Sequence, residues 1–113
     1  MGHKVQVAKA QEFIDEQASF FEGRIAKDAS EMHTYCMQLT YHVGDWIRDV
    51  ASEFGVSTSD ISSYALNKMS KHGKAGLKAA GYTDITTVGI YERDESWSGS
   101  IGYRFYRPFR FNG

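Results

Sequence analysis

The chain has 113 residues, enough for one domain that buries roughly two-thirds of the surface exposed by its unfolded form. It is 42% hydrophobic and 14% aromatic, a composition that excludes an intrinsically disordered protein. No apolar run approaches the ~20 residues of a membrane helix, and the start has no hydrophobic signal core. We therefore expect a soluble, cytoplasmic protein with no membrane partner.

Charge is divided unevenly along the chain. Residues 1–60 carry ten acidic and five basic side chains, a net charge of −5, whereas residues 61–113 carry four acidic and eight basic ones, a net charge of +4. A chain with a total charge of only −1 can therefore still present a positive surface to a polyanion. Chance alone often divides charges unequally, so this asymmetry supports nucleic-acid binding only where it coincides with a motif.

The first predicted element is an amphipathic helix over residues 7–28. Apolar side chains recur there at steps of three and four, the spacing of one helix face. They are Val7, Ala10, Ile14, Ala18, Phe21 and Ile25, with Phe13 and Phe20 widening the stripe. A face of this width packs on the protein's own core or on a second copy, so residues 7–28 are also the predicted contact of a homodimer.

Apolar and polar residues then alternate over residues 33–43, which predicts a half-buried β-strand. Residues 45–72 follow as two helices. Asp45 is placed to cap the first, which is expected to begin at Trp46 and to stop at Gly55. Ser57 or Thr58 can cap the second, which is expected to continue to about His72.

The stretch "GKAGLKAAG" after this helix is predicted to be a flexible connection, although a frayed helical extension also fits its composition. Two strands joined by a serine- and glycine-rich turn follow, which predicts a β-hairpin over residues 84–111. On the last strand three apolar residues alternate with three others, so the two sets face opposite sides of the sheet: Ile101, Tyr103 and Phe105 against Gly102, Arg104 and Tyr106.

A helix-turn-helix makes specific demands on sequence because its two helices cross at a steep angle. A small residue must lie at the crossing, and a residue that tolerates positive φ must begin the turn. In "IRDVASEFGVSTSDISSYAL" Ala51 and Gly55 meet these demands. Apolar residues occupy the offsets that close the core of the motif: Val50, Phe54, Val56, Ile61 and Tyr64. Residues 47–66 thus resemble the helix-turn-helix family of DNA-binding proteins, although tight helical turns that never touch DNA satisfy the same pattern.

The order of the predicted elements extends this resemblance. A helix and a strand before the motif, and a hairpin after it, are similar to the winged-helix form of the family. The resemblance implies an α+β fold with a small three-stranded antiparallel sheet. It also implies a transcriptional regulator that acts as a dimer on double-stranded DNA. The second helix of the motif would enter the major groove, and the hairpin, or wing, would touch the backbone or the minor groove.

Carried over by position, the resemblance implies three sets of contact residues. The polar set would face base edges: Ser57, Thr58, Ser59, Ser62, Ser63 and Asn67. The basic set would neutralise phosphates: Lys68, Lys71 and Lys74. The third set would lie on or near the wing, or would contact a protein partner instead: Arg93, Trp97 and Arg104.

The sequence contains no arrangement that indicates an enzyme, a cofactor or a metal site. Three candidate zinc ligands, His33, Cys36 and His42, lack the paired spacing of a zinc site, and a single cysteine excludes an internal disulfide. An alternative function comes from another class, a small protein-binding inhibitor or adaptor such as a phage-encoded anti-CRISPR-like protein. Size and composition alone support this analogy. The acidic half of the chain would then imitate nucleic acid. A third alternative is a small enzyme whose site is assembled from residues scattered along the chain.

Overall fold

Residues 2–32, 36–90 and 99–106 are described by the structure, a computed structural model. Along these ranges the chain forms three helices and three strands: α1 (Gly2–Ser30), β1 (Cys36–His42), α2 (Gly44–Phe54), α3 (Thr58–Ala79), β2 (Thr83–Ile90) and β3 (Ser100–Tyr106). The predicted class, α+β with a small three-stranded antiparallel sheet, is confirmed.

The sheet has the strand order β1-β3-β2, and both neighbouring pairs are antiparallel. The central strand therefore pairs on both sides, so that Tyr103 lies opposite Leu39 of β1 and Thr87 of β2. The alternation predicted for β3 is confirmed, because three of its side chains are buried and Arg104 is exposed. The buried set is Ile101, Tyr103 and Phe105.

The core lies between this sheet face and the two long helices. Helix α1 contributes Ile14, Phe21 and Ile25, together with three buried alanines, Ala10, Ala18 and Ala29, whose small side chains favour close packing. The closest approach is at Gly76 of α3, where a Cβ atom would lie 2.4 Å from the backbone oxygen of Glu22. Only glycine fits this contact without displacing one of the two backbones.

Buried tyrosines connect the layers through their hydroxyl groups. Tyr103 donates a hydrogen bond to the Met69 carbonyl oxygen at 2.5 Å, and Tyr82 donates one to the Ala29 carbonyl oxygen at 2.7 Å. The Tyr103 ring lies against Gly73, where an added Cβ would come within 2.3 Å of ring carbon Cζ. Because burial disfavours the charged phenolate, it raises the pKa of Tyr103 above its usual range.

Two local predictions were wrong. Helix α2 begins at Gly44, with Val43 in the N-cap position, so Asp45 lies in the first turn and its carboxylate pairs with Arg48. Hydrogen bonds to a residue outside the helix hold its first turn in place. The amides of Val43 and Gly44 both donate to the Gly99 carbonyl oxygen, at 2.9 and 3.0 Å.

The second wrong prediction concerns "GKAGLKAAG", which is not a flexible connection. The alternative, a helical extension, is confirmed over the first seven residues of this stretch, because helix α3 continues to Ala79, seven residues beyond the predicted end at His72. Gly73, Gly76 and Leu77 are all buried and prolong the inward face that includes Met69. Gly73 and Gly76 are therefore present because β3 and α1 pack closely on this part of the helix, whereas Gly81, with a φ of +98°, lies in the turn that follows it.

Candidate nucleic-acid interface

The turn between α2 and α3 is formed by Gly55, whose φ of +68° and ψ of +33° lie in the left-handed region that favours glycine. The next amide, of Val56, donates to the Ala51 carbonyl oxygen at 2.9 Å, which closes the last turn of α2. Ala51 is 3% exposed and belongs to the core. The two residues that the motif required thus lie at the corner between two separate helices.

Helix α3 begins with a short-range cap. The backbone amide of Ser57 donates to Oδ2 of Asp60 at 3.0 Å, and the Ser57 and Ser59 hydroxyl oxygens are 3.0 Å apart. Hydrogen bonds from Ser57, first of all from its backbone amide, hold the pKa of Asp60 below its usual range. Nε2 of His3 lies 3.6 Å from the same carboxylate. The one acidic side chain in the first turn is therefore engaged by the cap.

Both flanks of α3 are attached to neighbouring elements. On the α1 side, Asp15 accepts a hydrogen bond from the Tyr64 hydroxyl at 2.7 Å and lies 3.4 Å from Nζ of Lys68. This hydrogen bond is the main reason that the pKa of Tyr64 is raised. On the sheet side, the Ser70 hydroxyl is 2.7 Å from that of Thr87. These contacts fix the rotation of α3 about its own axis.

The remaining side of α3 faces solvent, and we call it the outer stripe. Its members lie three or four residues apart along the helix and are all exposed: Ser59, Ser63, Asn67, Lys71, Lys74 and Lys78. The stripe is neutral and hydrogen-bonding at the N-terminal end and cationic at the C-terminal end. None of its six members is acidic, so its local charge is +3 on a chain of net charge −1.

The structure brings most of the predicted contact residues to this side. Ser57 is exposed in the turn that precedes the stripe, while Thr58 and Ser62 are half-buried beside it. Lys68 points elsewhere, because its ammonium group pairs with Asp15 and lies 5.5 Å from the centroid of the Tyr64 ring. Because this charge is already paired, we leave Lys68 out of the interface.

Of the predicted wing residues, the structure describes Arg104, which lies on the sheet and not on this stripe. Arg104 is exposed on the outer face of β3, opposite Gln38 of β1 and Thr86 of β2. Arg93 and Trp97 lie outside the described residues, so their predicted contacts remain predictions.

Lys78 is the stripe residue that the sequence prediction missed, because the helix was expected to end at His72. A signal for the longer helix exists in the sequence. The three- and four-residue spacing of the inward face continues past His72 if glycines are counted among the inward-facing residues. The residues concerned are Met69, Gly73, Gly76 and Leu77.

Comparisons with protein-family models, with curated proteins and with solved structures found no match to this chain. Within the described ranges, no helix has the length and apolar character required to cross a membrane. The same ranges contain no cluster of three or more His, Cys, Asp or Glu side chains arranged to hold a metal ion.

Proposed function

We propose that this protein is a winged-helix DNA-binding protein, acting as a transcriptional regulator, whose α3 helix enters the major groove of double-stranded DNA. One observation carries the proposal. The outer stripe places serine and asparagine side chains, which can hydrogen-bond base edges, and lysines, which can bind phosphates, on one exposed side of a helix, and the other sides of that helix contact α1 and the sheet.

The arrangement of elements supports the winged-helix form. The α2-turn-α3 unit lies between β1 and β2 in the chain, and β2 pairs with β3 as an antiparallel hairpin. Helix α3 packs directly against β2, since Ser70 contacts Thr87. The hairpin therefore lies next to the proposed recognition helix, where the family places its wing. Arg104 on β3 is the described wing residue that would contact the DNA backbone, and Arg93 and Trp97 complete the proposed set.

The chemistry of the stripe matches the two kinds of contact that a duplex offers. Asn67 can form a bidentate pair with adenine, worth about 1–3 kcal/mol of discrimination against other bases. Ser59 and Ser63 can donate to or accept from base edges. Lys71 and Lys74 lie one to two turns closer to the C-terminus than Asn67, where they can bind phosphates that flank the groove.

Binding to a fluorescently labelled random-sequence duplex at 50 mM salt tests the proposal. We expect the unaltered protein to form a complex, because phosphate contacts give sequence-independent affinity at low salt. The double variant Lys71→Glu/Lys74→Glu should lose about tenfold or more of this affinity. The matched control is Lys9→Glu/Lys27→Glu, which makes the same charge change at two exposed positions on α1 and should bind nearly as the parent does.

If the unaltered protein forms no complex at this salt concentration, DNA binding is excluded. The protein-binding inhibitor then becomes the better proposal, and one protein target should be sought. If both double variants lose affinity equally, the protein binds DNA through its overall charge, and α3 is not the recognition helix.

A further inference from the structure

An apolar groove runs between α1 and α2, on a side of the molecule that the proposed DNA contact does not use. It consists of two adjoining depressions of about 480 and 440 Å³ that share Gln17 and Trp46 in their linings. Phe20 lines the first depression and Phe13 the second. We refer to both depressions together as the α1–α2 groove.

Two of the phenylalanines that line this groove are exposed. Phe20 is 68% exposed and Phe13 is 36% exposed, although both lie on a helix whose other face supplies much of the core. Neither residue belongs to the buried core cluster. Adjacent exposed aromatic side chains in a groove are typical of a surface that another molecule covers.

The two ends of the groove carry opposite charges. Arg24 lines one end together with His42. Nε of Arg24 lies 3.8 Å from Oδ2 of Asp28, but the Arg24 side chain is 71% exposed, against 31% for the paired Lys68, so its guanidinium remains accessible to a second carboxylate. Asp49 and Glu53 line the other end and are exposed. Phe13 and Arg24 are eleven residues apart on α1, which places the two ends about 16 Å from each other. Phe20 and Trp46 lie between the charged ends.

The opposite charges lie at opposite ends of the groove because α1 and α2 are antiparallel. The side-chain amide of Gln6, near the start of α1, donates to the carbonyl oxygen of Phe54 at the end of α2, at 3.0 Å. The rings of Phe13 and Phe54 are 5.8 Å apart between centroids. The two helices therefore run in opposite directions, and the acidic end of α2 lies beside the first half of α1.

We propose that a second copy of this chain occupies the α1–α2 groove, related to the first by a two-fold axis near Gln17 and Trp46. A two-fold axis through the middle of a surface with opposite charges at its ends places each positive end against the partner's negative end. Arg24 of each copy then meets Asp49 and Glu53 of the other, and Phe20 packs against the partner's aromatic side chains. The surface is thus complementary to itself, and this dimer does not depend on DNA binding.

Sedimentation velocity without DNA, over a range of protein concentrations, tests the proposal. We expect the 12.8-kDa chain to sediment as a dimer and Phe20→Glu to raise the dimer dissociation constant about tenfold or more. The control is Ser19→Glu, an exposed neighbour outside the groove, which should leave the dissociation constant unchanged. Thermal melts should show both variants folded. A parent chain that stays monomeric up to about 100 µM would overturn the proposal, as would equal dimerisation of Phe20→Glu.

A charge exchange tests the two-fold geometry itself. Arg24→Glu and Glu53→Arg should each weaken the dimer, because each places like charges together at both ends of the interface. The double variant should recover most of the parent's affinity, since the exchanged charges again meet as opposites. If the double variant dimerises no better than either single variant, the antiparallel arrangement is wrong.

Discussion

The two sides of α3 contrast in how much each residue is constrained by its surroundings. On the inner side, Gly76 meets the backbone of Glu22 and Gly73 meets the ring of Tyr103, so that even one added carbon atom has no room. On the outer stripe, six polar or cationic side chains extend into solvent. Packing explains which residues occupy the inner side, whereas the fold does not require the polar and cationic residues of the outer stripe. Substitutions on the two sides should therefore affect different measurements.

The largest expected loss of stability comes from Gly76→Ala. The added Cβ would lie 2.4 Å from a backbone oxygen, so α1 and α3 must move apart, and overpacking of this kind costs about 1–3 kcal/mol or more. Gly23→Ala is the matched control. It makes the same chemical change at an exposed position of α1 with nothing within 4 Å, and should stabilise the protein by about 0.5–1 kcal/mol. Urea denaturation measures both, and equal responses would contradict the packing described for α1 and α3.

A smaller loss is expected for Tyr103→Phe, which leaves the Met69 carbonyl oxygen without its hydroxyl donor. The cost should be about 1–2 kcal/mol at neutral pH, measured by the same denaturation.

The buried hydroxyl of Tyr103 should also make the stability of the protein depend on pH in the alkaline range. Burial raises the pKa values of both Tyr103 and Tyr41 above the value of about 10 in an unfolded chain. A raised pKa stabilises the folded protein fully below pH 10, and this contribution is lost progressively as the pH rises past 10. Stability should therefore decline above pH 10, and less steeply in Tyr103→Phe than in the parent. If the stability of the parent and of Tyr103→Phe declined equally above pH 10, Tyr103 would not be the group whose ionisation destabilises the protein.

The smallest effect on stability is expected on the outer stripe. The variant Ser63→Ala/Asn67→Ala should unfold within about 0.5 kcal/mol of the parent, because both side chains are exposed. It should nevertheless lose discrimination between a preferred site, selected by the parent from a random pool, and unselected duplex. Ser19→Ala/Ser30→Ala on α1 is the control for both measurements. A stripe variant that retains full discrimination would show that these two residues do not read bases.

Predictions from the sequence succeeded where the determining interactions are local. The alternation of β3 and the glycine that ends α2 depend on neighbouring residues, and both can be recognised in a short stretch of sequence. The helical spacing of residues 7–28 likewise identified α1, although the helix extends from Gly2 to Ser30.

The wrong predictions have a common physical cause, since each depends on a contact between residues distant in sequence. Gly73 and Gly76 indicate a loop until Tyr103 and Glu22 are known to pack against them. The pairing of Lys68 with Asp15, on another helix, likewise cannot be recognised from the residues that surround Lys68 in the sequence. The α1–α2 groove was missed for the same reason, because its acidic end comes from α2 and its basic end mainly from α1.

The salt dependence of DNA affinity tests the central claim most directly. Each lysine that binds a phosphate contributes about −0.9 to the slope of log affinity against log salt concentration, so Lys71→Gln/Lys74→Gln should make the slope shallower by about 2. Lys9→Gln/Lys27→Gln should leave it unchanged. A slope that is the same in all three proteins, or a parent chain that forms no salt-sensitive complex, would contradict the account of α3 as the DNA-binding helix.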